Sequence, residues 1–153
     1  ICDGTRGKVS SISYTSTMLE AIDGSVIAFQ NAQLFSKNYK NMTRNHGYEL
    51  DILEVGVAYG SNVKQVKKLL VENLSKLDCI YHEKGVKVVL KSFDDNCITL
   101  KVLVWVNVLT QYADDGIIME CIYDTLNEHG IEIPFPQREI TIKNVTPEIP
   151  TKK

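Results

Sequence analysis

Residues 130–142 read Gly-Ile-Glu-Ile-Pro-Phe-Pro-Gln-Arg-Glu-Ile-Thr-Ile, and they constrain the fold more than any other stretch of the chain. Gly130 closes a helical pattern and takes the left-handed conformation of a helix C′ position without a Cβ penalty. Pro134 and Pro136 fix φ and remove two backbone donors. They also push Ile133 and Phe135 into extended conformation. The arm is therefore stiff, with Phe135 held between two prolines. Beyond Gln137, the alternation Glu139-Ile140-Thr141-Ile142-Lys143 reads as a short strand. The prolines interrupt its donor row, so this strand is expected to detach from its own sheet and pair with another chain; the alternative is that residues 137–144 complete the sheet of their own chain. Phe135, Gln137, Ile140 and Ile142 are the expected oligomer interface, with Ile140 and Ile142 on one face.

The first third of the chain reads as short strands. Gly7-Lys8-Val9 leads to Ile12, Tyr14 and the run Thr15-Ser16-Thr17. Asp23-Gly24 is a strong hairpin signal, expected to form a two-residue turn with positive φ at both positions. It would pair residues 18–22 with 25–29. Asn31 opens a stretch suited to one helical turn, and Tyr39 to Thr43 reads as a last short strand. This block, residues 1–46, is expected to be a small barrel of Sm or SH3 type with little core of its own.

From Glu49 the pattern changes to alternating strands and helices. Residues 50–59 read as a strand, and Ser61 or Asn62 as a helix N-cap. Val63, Val66, Leu70, Leu74 and Leu77 then recur at helical spacing. Residues 86–93 and 98–108 are strands around an Asp94-Asp95-Asn96 turn. The second of them is apolar on both faces, as at the centre of a sheet. Asp114 and Asp115 suit a helix start. Ile118, Cys121, Ile122, Thr125 and Leu126 form the buried stripe of that helix. The order is the βαββαβ plan of a ferredoxin-like α+β sandwich. The expected division is 1–46, 47–135, an oligomerisation strand over 136–145, and a disordered tail over 146–153. The chain begins at Ile1 and not at Met, so it is expected to belong to something longer.

Charge and motif content narrow the functions. Up to Gly47 there are five basic and three acidic side chains; from Tyr48 there are twelve and sixteen. Neither part has the basic excess of a nucleic-acid binder. No run approaches the roughly 18 apolar residues that span a bilayer. Cys2, Cys79, Cys97 and Cys121 form no C-x-x-C pair, and Cys97 and Cys121 are expected to be small core residues of a protein in a reducing compartment. His46, His82 and His129 have no ligand spacing. The pairs Asp94/Asp95 and Asp114/Asp115 are explained by a turn and a helix start as readily as by chemistry. Trp105 is expected in core or interface. No hydrolase, kinase or metalloprotease signature is present, so neither catalytic residues, nor a cofactor, nor a metal site are expected.

The segment Gly130, Ile131, Ile133, Pro134, Phe135, Pro136, Gln137 resembles the carboxyl end of the small-conductance mechanosensitive channel family, where Gly-Ile-x-(aliphatic)-Pro-(aromatic)-Pro-Gln precedes a final strand. The β block is similar too, through Gly7-Lys8-Val9, Thr15 to Thr17, Asp23-Gly24, Phe29-Gln30-Asn31 and Asn41-Met42-Thr43. Gln30 stands where the family has proline, which leaves the local turn geometry open. Val57-Ala58-Tyr59 and Val104-Trp105-Val106 fit the second domain. The resemblance runs from Gly4 to about Val145. It implies a homo-oligomeric cage, a heptamer in the family, beneath a membrane pore whose helices would precede Ile1. Tension would open that pore to ions and small solutes, with side portals between subunits. The full protein would lie in the cell membrane and this region in the cytoplasm. Two other readings remain: an Sm-like RNA-binding ring, and a ferredoxin-like domain for a small ligand or metal.

Overall fold

The computed structural model of the chain describes residues 1–44 and 46–134. Among them are two antiparallel three-stranded sheets, the second of which is covered by helices. β1 (Gly7–Ile12), β2 (Ser16–Ala21) and β3 (Val26–Gln30) form a meander in that order, followed by the short helix α1 (Asn31–Ser36). Three strands leave the sheet open, and a closed barrel would need strands from elsewhere. The stretch expected to be a last strand is a single bridge, Cys2 to Tyr39. A turn follows it, in which the Asn41 side chain accepts from Thr43 and Arg44. That side-chain acceptor competes with ladder pairing and wins.

The hairpin between β2 and β3 has the expected place but not the expected turn. Leu19 pairs with Ile27 and Thr17 with Phe29. Gly24 donates to the Ala21 carbonyl at 3.0 Å, and Ala21 donates to Ser25 at 2.8 Å. The loop is thus three residues long. Gly24 has φ 81, whereas Asp23 is not among the residues with positive φ. A three-residue loop needs the left-handed conformation only at its last position. Asp23 instead accepts from the Ser25 amide and hydroxyl. Those donors hold its carboxyl below the usual range.

β4 (Tyr48–Val57), α2 (Val63–Leu74), β5 (Lys87–Phe93), β6 (Ile98–Asn107) and α3 (Gln111–Glu128) make the second unit, with strand order β4-β6-β5. Five of the six elements of a βαββαβ plan lie in the described residues. Of a further strand there is one trace, the Ala58 amide donating to the Glu132 carbonyl at 3.0 Å. Asn62 caps α2 by accepting from the Gln65 amide. Leu77 lies past the end of α2, in turns closed by bonds to Asn73 and Leu74, yet still packs on the core.

Both helices cover one face of this sheet. Ile98, Leu100, Val102, Val104 and Val106 of β6 meet Val66, Leu70 and Leu74 of α2 and Ile118, Ile122 and Leu126 of α3, all buried. Burial of each such side chain stabilises by about 1.5–3 kcal/mol before entropy is counted. β6 is the central strand, which is why it reads as apolar at every second residue and semi-apolar between.

α3 ends at Glu128 and is closed off by Gly130, φ 62, with Gly130 donating to Asn127 and Ile131 to Leu126. This pair of bonds satisfies two terminal carbonyls as a Schellman motif, and Ile131 folds back onto the core. His129 adds a ring nitrogen 2.9 Å from the Thr125 carbonyl. Phe135 and all later residues, including Pro136, Gln137, Ile140, Ile142 and the tail, lie outside the described residues, so the expected intersubunit strand is not among them.

Candidate functional site

Three features converge where the two sheets meet. Arg6, just ahead of β1, donates to the Glu49 carboxylate of β4 and to the Val108 carbonyl at 2.9 Å. Val108 also donates to the Gly47 carbonyl. These bonds fasten the start of the first sheet to the entry of the second. Strand β4 alternates, so Glu49, Asp51, Leu53, Val55 and Val57 share the face toward the helices. The first two are therefore acidic groups on a buried side.

Helix α3 supplies the facing groups. Asp114 is buried and accepts from the Thr110 hydroxyl at 2.6 Å, which anchors the first turn. Asp115 sits against Asp51. Burial first, then Asp51 and the charges of Asp114 and Glu49, push the Asp115 carboxyl up to about 6. The oxygens Asp51 Oδ2 and Asp115 Oδ1 are fully shielded and meet no donor among the described residues. Sequence reasoning placed Asp115 at a helix start but missed Asp51 and Arg6. The available signal was the strand alternation, which sets Glu49 and Asp51 in phase with the buried valines.

The same end of β4 borders an open cleft of about 450 Å³ lined by Tyr48, Asp78, Cys79, Tyr81, Thr110 and Asp114, among others. Tyr48 and Tyr81 stack with ring centroids 4.1 Å apart. Lys84 Nζ lies 5.5 Å from the Trp105 ring centroid, a cation–π distance. Trp105 thus belongs to the uncovered face of the second sheet. That face also exposes Leu50 and Ile52 of β4 and Val89 of β5. No group of His, Cys, Asp and Glu suited to a metal is found among the described residues. The four cysteines are free; Cys2 is buried and the others half-buried. Burial raises the Cys79 and Cys121 thiols, which disfavours the reactive thiolate.

The motif residues of the first sheet have defined tasks. Asn31 donates to the Ser13 carbonyl at 2.9 Å and the Tyr14 carbonyl at 3.1 Å, and accepts from the Thr17 hydroxyl at 2.8 Å. It ties the β1–β2 turn to the start of α1. Gln30 has φ −66, the value a proline would impose.

Residues 51–133 match the family model described as "Mechanosensitive ion channel MscS, C-terminal". The chain belongs to the MscS family. Its relatives include the small-conductance mechanosensitive channel of Edwardsiella ictaluri, 31% identical over 137 residues that make up 90% of this chain and 48% of that protein. The small-conductance mechanosensitive channel of Helicobacter pylori is 25% identical over 147 residues, 92% of this chain and 52% of its own. The chain therefore spans about half the length of these MscS-family relatives. Among solved structures, the closed-state crystal structure of Helicobacter pylori MscS superposes with a TM-score of 0.81 at 24% identity, covering 94% of this chain and 56% of that one. The cryo-EM structure of Arabidopsis thaliana MSL1 gives 0.70 at 12% identity, over 90% and 51%. At these identities the superpositions speak for the fold, and they extend it over the first sheet, outside the matched family segment. No helix among the described residues is long and apolar enough to cross a membrane.

Proposed function

We propose that this chain is the cytosolic vestibule of a tension-gated channel, a non-enzymatic homo-oligomeric ring beneath a pore formed by other parts of the protein. Ions and small solutes would pass through side portals between subunits. The observation that carries the reading is the family match over residues 51–133. The first sheet supports the oligomeric part. It buries only Thr17 and Leu19 among its strand residues, while Val9, Ile12, Ile22, Val26 and Phe35 stay exposed. A surface of that kind calls for a partner, and identical subunits arranged about an axis supply one to every copy. The working units are residues 1–46, 47–135, a seam strand over 136–145, and a tail over 146–153. In this reading the strand after Pro136 joins one chain to the next as a parallel barrel without free edges.

Two experiments test this. The complete gene product, placed in a membrane free of other mechanosensitive channels, should give currents under patch suction; a protein that reaches the membrane and stays silent at lytic tension would sink the reading. Light scattering on the 153-residue chain tests the ring: seven copies of 17.2 kDa give about 120 kDa. The double change Ile140→Asp, Ile142→Asp should collapse that mass while the monomer stays folded, through charge on a buried face. A ring whose mass ignores the double change would place the seam elsewhere.

A further inference from the structure

Asp51 of β4 and Asp115 of α3 each hold one shielded oxygen without a donor among the described residues, and the Asp51 carboxyl lies within hydrogen-bonding reach of that of Asp115. A buried carboxylate oxygen without a donor is costly, and two of them facing each other as anions also repel. One proton removes both problems, because it converts one group into a hydroxyl donor and leaves the other as its acceptor. We propose that Asp51 and Asp115 form a proton-dependent clasp that holds the first turns of α3 against β4 in acid and releases them as the pH rises to neutrality. This goes beyond the channel reading and stands or falls without it.

The surroundings favour the proton. β4 brings Glu49 as well as Asp51, and α3 brings Asp114 as well as Asp115. β6 lies opposite β4 here with Val104 and Val106, which carry no charge. α2 packs on α3 but contributes none of the groups that act on Asp115, and the segment after it brings Asp78 beside Cys79, a thiol that also senses Asp114. Among the described residues the cation bonded at this junction is Arg6, and it is engaged by Glu49 and the Val108 carbonyl. Asp114 is already satisfied by Thr110, so the proton is left to the Asp51–Asp115 pair.

The sign follows from linkage. Asp115 binds its proton more tightly folded, at about 6, than at the ordinary 3.8. The clasp's stabilisation is complete below 3.8 and is lost as pH rises through about 6. Glu49 lies two residues from Asp51 on the same face of β4, so the clasp borders the Arg6–Glu49 fastening between the two sheets.

The test uses carbon-detected carboxyl NMR and amide exchange on the 153-residue chain. The Asp115 carboxyl should titrate near pH 6. Above that pH, amides in the first two turns of α3 should exchange faster in the wild type than in Asp115→Asn, whose amide keeps a donor toward Asp51 at every pH. The variant should also flatten the fall in melting temperature between pH 5 and 7.5. Histidines are common to both proteins, so the difference isolates the pair. An Asp115 carboxyl that titrates below about 4.5 would overturn the proposal. So would exchange in α3 that is the same in wild type and variant at every pH. If Asp115→Asn does not fold, Asp51→Asn serves the same comparison, and the wild-type titration needs no variant.

Discussion

Replacing Arg6 by Ala tests whether the two sheets are one mechanical body. The guanidinium donates to Glu49 and to the Val108 carbonyl, and the two charged side chains are 23% and 15% exposed. A charge-assisted bond contributes about 1.5–3 kcal/mol and a neutral one about 1 kcal/mol. The remaining solvent contact screens part of that, so the expected loss is about 2 kcal/mol. For a chain of this length that lowers the melting temperature by about 4–8 °C. Lys91→Ala is the internal reference. Its pairing with Glu54 at 2.7 Å joins side chains 39% and 47% exposed, and such surface pairs are worth about 0–1 kcal/mol. Urea unfolding followed by circular dichroism gives both values. A cycle with Glu49→Ala gives the coupling, expected above about 0.5 kcal/mol for groups in contact. Limited proteolysis adds a local readout: loss of Arg6 should speed cleavage in the connection from Lys37 to Gly47. The reasoning is refuted if Arg6→Ala costs no more than Lys91→Ala, or if Arg6→Ala and Glu49→Ala simply add.

Two further substitutions probe the sheets separately. Gly7→Ala would set a Cβ 2.7 Å from the Glu20 carbonyl oxygen of the paired strand; the backbone must shift, and thermal unfolding should show a loss of about 1–3 kcal/mol. Leu70→Ala empties a fully buried position between α2 and the sheet and should cost about 2–5 kcal/mol in the same assay; a loss under 1 kcal/mol would mean that the core collapses around the gap or that α2 does not pack as described.

The second unit was largely legible because its signals are periodic and local. The α2 stripe from Val63 to Leu74, the Asn62 cap and the doubly apolar β6 each point to one structure, and they appear where the spacing put them. The first unit was less so. A two-residue turn and a three-residue turn share the Asp23-Gly24 pair, and what separates them is the register set by Thr17, Leu19 and their partners across the hairpin. The stretch from Tyr39 was read as strand from its residue types. Asn41 instead bonds its own neighbours, a competition that composition does not reveal. At the junction, Arg6 meets Glu49 across forty-three positions, and Asp51 meets Asp115 across more. No periodicity links such pairs; only the strand phase of Glu49 and Asp51 hinted that carboxylates would be buried.

The contrast between the two sheets bears on what each needs in order to stay folded. β6 is gripped on both edges by β4 and β5 and on one face by two helices, so the second unit carries its own core. The first sheet buries little of itself: Ile12 is 74% and Val26 63% exposed, and its fixed point on the second unit is Arg6. A sheet that buries so little cannot offset the ordering of its own backbone, at about 1–2 kcal/mol per residue, without neighbours. Its stability is thus set at its borders, by Arg6 and Glu49 on one side and by whatever covers Val9, Ile12 and Val26 on the other. Raising the chain concentration separates these borders. If a second copy covers those side chains, Gly7→Ala should lose more at low concentration than at high concentration, whereas the cost of Leu70→Ala, which acts inside one chain, should depend less on concentration. Equal concentration dependence of the two costs would mean that the first sheet is not completed by another copy.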